Sequence, residues 1–377
     1  MTGLPEAAYA AALASLGHLT PLRLRALLAR MSPPDAWEAI LRGIAFPGGL
    51  PTIAKSGDPI AAMRAQAASV QPESVWGDCL RTGVSVTVLG QPTYPFVLAD
   101  DPVAPAVLFS RGNLHALNGR RVAIIGTRRA TAVGREMAAD IGAELARHDV
   151  RVVSGLAAGI DGAAHRGALS VGAAPPIGVV GSGLDVPYPS GHKSLWERVA
   201  TTGLLLAEVP PGSPPLAHRF PQRNRVIAAL SEVVVVVESH ARGGSLLTVD
   251  QAMNRDRIVM AVPGSPRNDA AAGTNDLLRD GCLPVHTADD VLLQLGLGRL
   301  PFGAAKDSRP KPQSRDEVML QLMSDGPTSL EQLVSASDTD VRTVAASLAR
   351  LEMDGWVIET GGSYERIHVS RQTSRVP

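Results

Sequence analysis

Six short apolar runs recur between residues 122 and 262: Val122–Ile125, Val150–Val153, Ile177–Val180, Leu204–Ala207, Val233–Val237 and Ile258–Val262. Segments of helical periodicity separate them. A strand that is apolar along its whole length, rather than at every second residue, has to be covered on both faces. A helix between successive strands supplies that cover and returns the chain for parallel pairing. The expected fold class is α/β, a doubly wound and mostly parallel sheet with Val233–Val237 among its central strands. Upstream, Val84–Leu89 alternates as a strand does, and Pro105–Phe109 offers another.

The flanks have a different texture. Residues 1–75 read as a small helical module, with leucines at helical spacing and a hairpin from Leu16 to Pro21. A helix-hairpin-helix that grips phosphate presents a Gly-x-Gly turn, and here only Gly17 is present. Phosphate contact and plain helix packing are both open readings. Residues 76–300 form the sheet domain and 301–315 a linker that ends in the proline-rich stretch Arg309–Ser314. Within 316–377, three helical patterns (Glu317–Met323, Leu330–Val334 and Val341–Asp354) precede Trp356–Thr360, a Gly361-Gly362 turn and Tyr364–Val369. That is the order of a winged helix.

Bulk charge locates no function. Lys/Arg against Asp/Glu are six to five in residues 1–75, 21 to 20 in 76–305 and nine to eleven in 306–377. An anion site must therefore be local. The acidic balance of the last region makes partner docking as good a reading for the winged helix as groove reading of DNA. No stretch reaches the roughly 20 apolar residues that span a bilayer, and the N-terminus has no basic leader, so a cytoplasmic protein without membrane contact is expected. Cys79 and Cys282 lie far apart without His or Cys at ligand spacing, which supports neither a disulfide nor a metal site.

In an open α/β sheet, ligands bind beyond the carboxyl ends of the strands, where loops lead into helix N-termini. The loops there read Gly126-Thr127-Arg128, Ser154-Gly155, Gly181-Ser-Gly183 and, after the valines, Gly243-Gly244-Ser245 followed by Thr248. Glycines let amides approach a phosphate, and Arg128 adds a bidentate fork. Phe220 to Arg225 should reach the same rim. Arg223 and Arg225 can hold phosphates, or one of them can be tied inward to Glu208 or Glu238, with Asn224 holding the loop. Phe220 is either a stacking platform for a base or a plug for the core.

The competing chemistries lack their residues. There is no Gly-x-Gly-x-x-Gly opening the first helix and no lysine after Gly243-Gly244, so neither a dinucleotide nor ATP is expected as cofactor or substrate. Asp161 and His165 share a helix face, but a carboxylate in a first turn reads as a cap beside a satisfied histidine. Ser245 and Thr248 have no base at readable spacing. No catalytic constellation emerges, and several phosphate sites in a row suit a strand better than a single nucleotide.

These motifs resemble the DNA-processing protein A family (DprA, also called Smf). The resemblance rests on Ile125–Arg128, Ser154–Asp161 with His165, Gly181–Asp185 with Tyr188-Pro189, Phe220–Arg225, Gly244–Thr248, Val262–Gly264 and Gly273–Asn275, in the family's order. It implies a Rossmann-like core flanked by an N-terminal module of the SAM or helix-hairpin-helix type and a C-terminal winged helix. It also implies a dimer that binds single-stranded DNA and helps load a RecA-type recombinase during natural transformation and recombination, with no enzyme activity. Gly126, Thr127, Arg128, Arg223 and Arg225 would then hold phosphates and Phe220 would contact a base. Related Rossmann-like folds include nucleoside-monophosphate phosphoribohydrolases, whose Gly-Gly-x-Gly-Thr-x-x-Glu signature corresponds here to Gly243–Asp250, without the second glycine and without the glutamate. That enzyme class is the alternative reading.

Overall fold

The computed structural model describes residues 3–44, 59–298, 309–323, 327–337 and 339–367. The chain forms two compact units, residues 1–298 and 299–377. The first is organised by a nine-stranded sheet. Its strands are β1 (Ser85–Val88), β2 (Val107–Gly112), β3 (Arg121–Ile125), β4 (Arg151–Ser154), β5 (Ile177–Val179), β6 (Leu204–Ala207), β7 (Val233–Val236), β8 (Ile258–Ala261) and β9 (Leu283–Pro284). They lie in the order β1-β2-β6-β5-β4-β3-β7-β8-β9. The run from β6 to β9 is parallel, whereas β1 and β2 add an antiparallel edge.

The valine run shows why such a sequence takes this fold. All its side chains are buried. Val234 and Val236 enter one core with Val226, Ile227 and Leu230 of the helix Arg219–Leu230. Val233, Val235 and Val237 enter another with Ile141 and Leu145 of the helix Ala132–Arg147. Successive side chains of a strand point to opposite faces, so a uniform apolar run fills two cores at once. Each fully buried valine contributes about 1.5–3 kcal/mol. The neighbouring β3 divides in the same way, Ala123 and Ile125 against Val122 and Ile124.

The expected strands are present, with ends shifted by up to three residues; the short β9 and the antiparallel pairing of β1 with β2 and of β2 with β6 are additions. At that antiparallel edge the N-terminal helices join the sheet. Leu13, Leu16, Leu24, Trp37 and Ile40 share one core with Phe109, Leu205 and Trp196. The Leu16–Pro21 hairpin joins the helices Glu6–Ser15 and Pro21–Leu28, with Thr20 accepting from the Arg23 amide as N-cap. No helix among the described residues is long and apolar enough to cross a membrane.

The second unit has the helices Ser314–Leu322, Leu330–Ser337 and Val341–Met353 and the strands Thr328–Ser329, Val357–Thr360 and Ser363–Arg366, around Leu333, Val344, Leu348 and Leu351. Arg309 stacks on Trp356 at 3.6 Å, and the Trp356 indole donates to the Pro310 carbonyl, so the end of the linker packs on this unit. Linker residues 301–308 and residues 368–369 of the last expected strand lie outside the described residues.

A buried ion pair closes the sheet domain. Arg255 donates to both carboxylate oxygens of Asp101, at 2.6 and 3.2 Å, with both side chains 7% exposed. Arg25 of the N-terminal module donates to the Asp101 carbonyl. Removing one partner of a buried pair strands the other charge. Arg255→Met should therefore lower the unfolding free energy by about 3–5 kcal/mol, measured by urea denaturation.

Candidate nucleic-acid interface

Chain order reverses at β3, whose crossovers lead to β4 on one side and on whose other side β7 lies. The loops that leave β3 and β7 therefore border a crevice at the carboxyl ends of the strands. They are fastened to each other, the Thr127 amide donating to the Glu238 carbonyl at 2.7 Å. The Glu238 carboxylate accepts from the Thr131 amide and hydroxyl at 2.9 and 2.6 Å. Thr131 in turn caps the helix Ala132–Arg147 by accepting from the Gly134 amide. Gly126 is packed into this joint, where a Cβ would lie 2.6 Å from Ile160.

Arg128 is exposed, and its guanidinium carbon lies 4.8 Å from the centroid of the Phe220 ring. The Tyr188 ring meets Phe220 at 5.4 Å and 46°. Phe220 is half-buried, so it presents a face at the rim while its base enters the domain. The loops after β3 and β5 and the helix after β6 thus contribute to one cluster of cation and rings. Tyr188 joins the site although its sequence context marks it only as part of a motif with Pro189; the scarcity of aromatics, 3% of the chain, is the signal that points to it. Arg129 and Arg242 are also exposed on the loops after β3 and β7.

Arg223 and Arg225 both turn inward, where the sequence left open phosphate contact or a tie of one of them to Glu208 or Glu238. Arg223 is buried, donates to the Val179 carbonyl and lies 3.8 Å from Asp161. Its guanidinium occupies the space over Gly155, where a Cβ would fall 1.9 Å from Nη1. Asp161 accepts from the Gly155 amide at 3.1 Å. Arg225 pairs with the Glu208 carboxylate and donates to the Val103 carbonyl, its side chain 15% exposed. Both arginines are thus held inward, Arg225 by the Glu208 tie that the sequence allowed and Arg223 by Val179 and Asp161, so the reading of both as phosphate grips is corrected: their donors serve the protein's own carbonyls and carboxylates. Asn224 sits within the helix Arg219–Leu230 and accepts from the Arg223 Nε, so it steadies that side chain and not the loop it was expected to hold.

Burial pushes the Arg223 pKa down to about 10, with Asp161 opposing the shift, so the group stays protonated at neutral pH. Burial raises the Asp161 pKa, and Arg223 counteracts it. One turn on, His165 is fully buried, and burial pushes its pKa down to about 4. Neither of its ring nitrogens meets a partner at hydrogen-bonding geometry among the described residues, in contrast to the satisfied histidine expected.

The remaining expected residues divide between outward and inward. Gly244 is exposed, with open space where a side chain would begin, and half-buried Ser245 donates to the Ser239 hydroxyl at 2.9 Å. Gly243 is closed onto the loop by its amide, which donates to the His240 carbonyl at 2.9 Å. Gly181 lies against Arg219. Gly183 is buried and its amide donates to the Ser213 carbonyl. Thr248 is 2% exposed inside the helix Leu246–Met253, which corrects its assignment to the rim.

A doubly wound α/β core with a switch-point rim, accompanied by a winged helix, is the class these features define. Residues 85–296 match the family described as DNA recombination-mediator protein A, and residues 303–363 match the DprA winged helix domain. The chain belongs to this DprA (Smf) family. It is 35% identical over 290 residues to Protein Smf of Escherichia coli, covering 74% of this chain and 77% of that one. The X-ray structure of DNA processing protein A from Streptococcus pneumoniae, 29% identical, matches with a TM-score of 0.63 over 78% of this chain and 98% of that one. A structure of the Helicobacter pylori protein, described for its single-stranded DNA binding mode, is 29% identical and covers 56% of this chain and 95% of that one at a TM-score of 0.49.

Because Arg223 neutralises Asp161 within the sheet, Arg223→Met should destabilise the chain by about 3–5 kcal/mol. Asp161→Asn in the same chain should recover part of that loss, as read from the urea midpoints of the single and double variants.

Proposed function

We propose that the chain binds single-stranded DNA across this rim, protects it and loads a RecA-type recombinase during natural transformation and recombination. The observation that carries the reading is the cluster of Arg128, Phe220 and Tyr188 at the mouth of the crevice. A guanidinium beside aromatic rings serves the two surfaces that a single strand offers together, a charged backbone and unstacked bases. A duplex hides its bases and would leave the rings idle. Arg129, Arg242 and the open turn at Gly244 extend the surface for the backbone. A homodimer in the cytoplasm is part of the same proposal.

The winged helix serves partner docking or regulation. Its helix Val341–Met353 turns outward Val341, Ala345, Ala346, Ala349 and Met353, the last 82% exposed, with Arg342 as a cation. A phosphate backbone needs more positive charge than this.

Arg128→Ala should weaken binding to an oligothymidylate about tenfold and lower the log-log salt slope by about 0.7, the share of one phosphate contact. Phe220→Ala should weaken it by a similar factor with the slope unchanged, since stacking releases no counterions. Salt-titrated fluorescence anisotropy measures both, and an Arg128→Ala chain that binds like the parent would overturn the reading. Deleting residues 299–377 should leave affinity and slope in place; a collapse of affinity would assign DNA binding to the winged helix instead.

A further inference from the structure

Beside the rim, a cavity of about 170 Å³ opens between the N-terminal hairpin and the sheet. Leu16, Leu19 and Leu24 form its outer wall, and Val180 and Val209 form its inner one. Gly181 and Arg223 line it too, so it adjoins the loop after β5 and the helix that carries Phe220. An engineered cavity of about 150 Å³ holds one benzene molecule. This space is of the size of a single planar ring.

Its charged lining is already committed. Glu208 pairs with Arg225, Arg223 serves Val179 and Asp161, and Arg219 donates to the Pro214 carbonyl at 2.8 Å. A phosphate entering here would meet the Glu208 carboxylate, with Arg223 and Arg225 already held by carboxylates and only Arg219, bonded to the Pro214 carbonyl, still carrying unopposed charge. A neutral ring between apolar walls is the better occupant. Gln222, with a donor and an acceptor on one amide, is placed to read its polar edge.

We propose that this cavity receives one nucleobase of the bound strand, turned out of the stack, with the hairpin of residues 15–21 as its outer wall. The proposal rests on the reading of the rim as a single-strand site and assigns the N-terminal helices a part in it. The hairpin completes a pocket for a base instead of gripping phosphates.

Filling the cavity from opposite sides tests this in the full chain. Ala14→Phe does so from the hairpin side. Leu216→Trp does so from the loop after β6, at a residue 40% exposed, where a larger side chain leaves the fold intact. Anisotropy is measured with an oligothymidylate and with a fully abasic strand of equal length. Each variant should bind the oligothymidylate about tenfold more weakly, the scale of one lost base contact. Affinity for the abasic strand and the salt slope should stay at the parent's values. If the parent binds oligothymidylate and Leu216→Trp binds it equally well, or loses both strands alike, the pocket proposal falls while the rim reading stands. If the parent binds neither strand, both fall.

Discussion

One buried guanidinium organises the rim. Arg223 reaches from the helix after β6 to the end of β5, and its charge is balanced by Asp161 from the helix after β4. Elements far apart in sequence thereby meet at one point. The contact is possible only because residue 155 has no side chain, so the glycine and the arginine are one device. A surface cation would be screened and would gain little from such geometry. A buried one cannot leave its partners without stranding them, and this fixes the loops between which Phe220 and Tyr188 stand.

Most of the fold could be read from the chain because its signals are local. Two-sided apolar strands such as Val233–Val236 require cover on both faces whatever their neighbours, and leucines at helical spacing mark the N-terminal helices by themselves. Other features depend on distant partners. The direction of β2 is set by its antiparallel pairing with β6, and that of β1 by its pairing with β2, which no run of residues near Val107 encodes. Arg223 and Arg225 share one motif and the same charge, and sequence shows them as two cations beside an aromatic ring. A tie of one of them to Glu208 is readable as an option, but that the other is buried as well, against the Val179 carbonyl and Asp161, follows only from the closure of the sheet. Sequence shows Tyr188 only as part of a motif with Pro189, since its meeting with Phe220 joins the loop after β5 to the helix after β6.

The rim is also more economical in free donors than its glycines suggest. The amides of Thr127, Gly155, Gly183 and Gly243 bond within the protein. Several glycines are there for close packing, and their amides hold one loop against the next. Attraction for an anion is left chiefly to the outward guanidinium groups of Arg128, Arg129 and Arg242. In a chain whose formal net charge is zero, attraction for an anion at this lip is local and does not come from the bulk charge of the chain.

The shared core of the N-terminal helices and the antiparallel edge has an evolutionary corollary. Phe109 and Leu205 are shielded from water by side chains that arrive from the first forty residues. A descendant that discarded those helices would bare a greasy sheet margin, and it could persist only by recolouring that margin with polar residues or by recruiting another cover. Loss of the module is therefore a concerted change, in which deletion and resurfacing have to travel together.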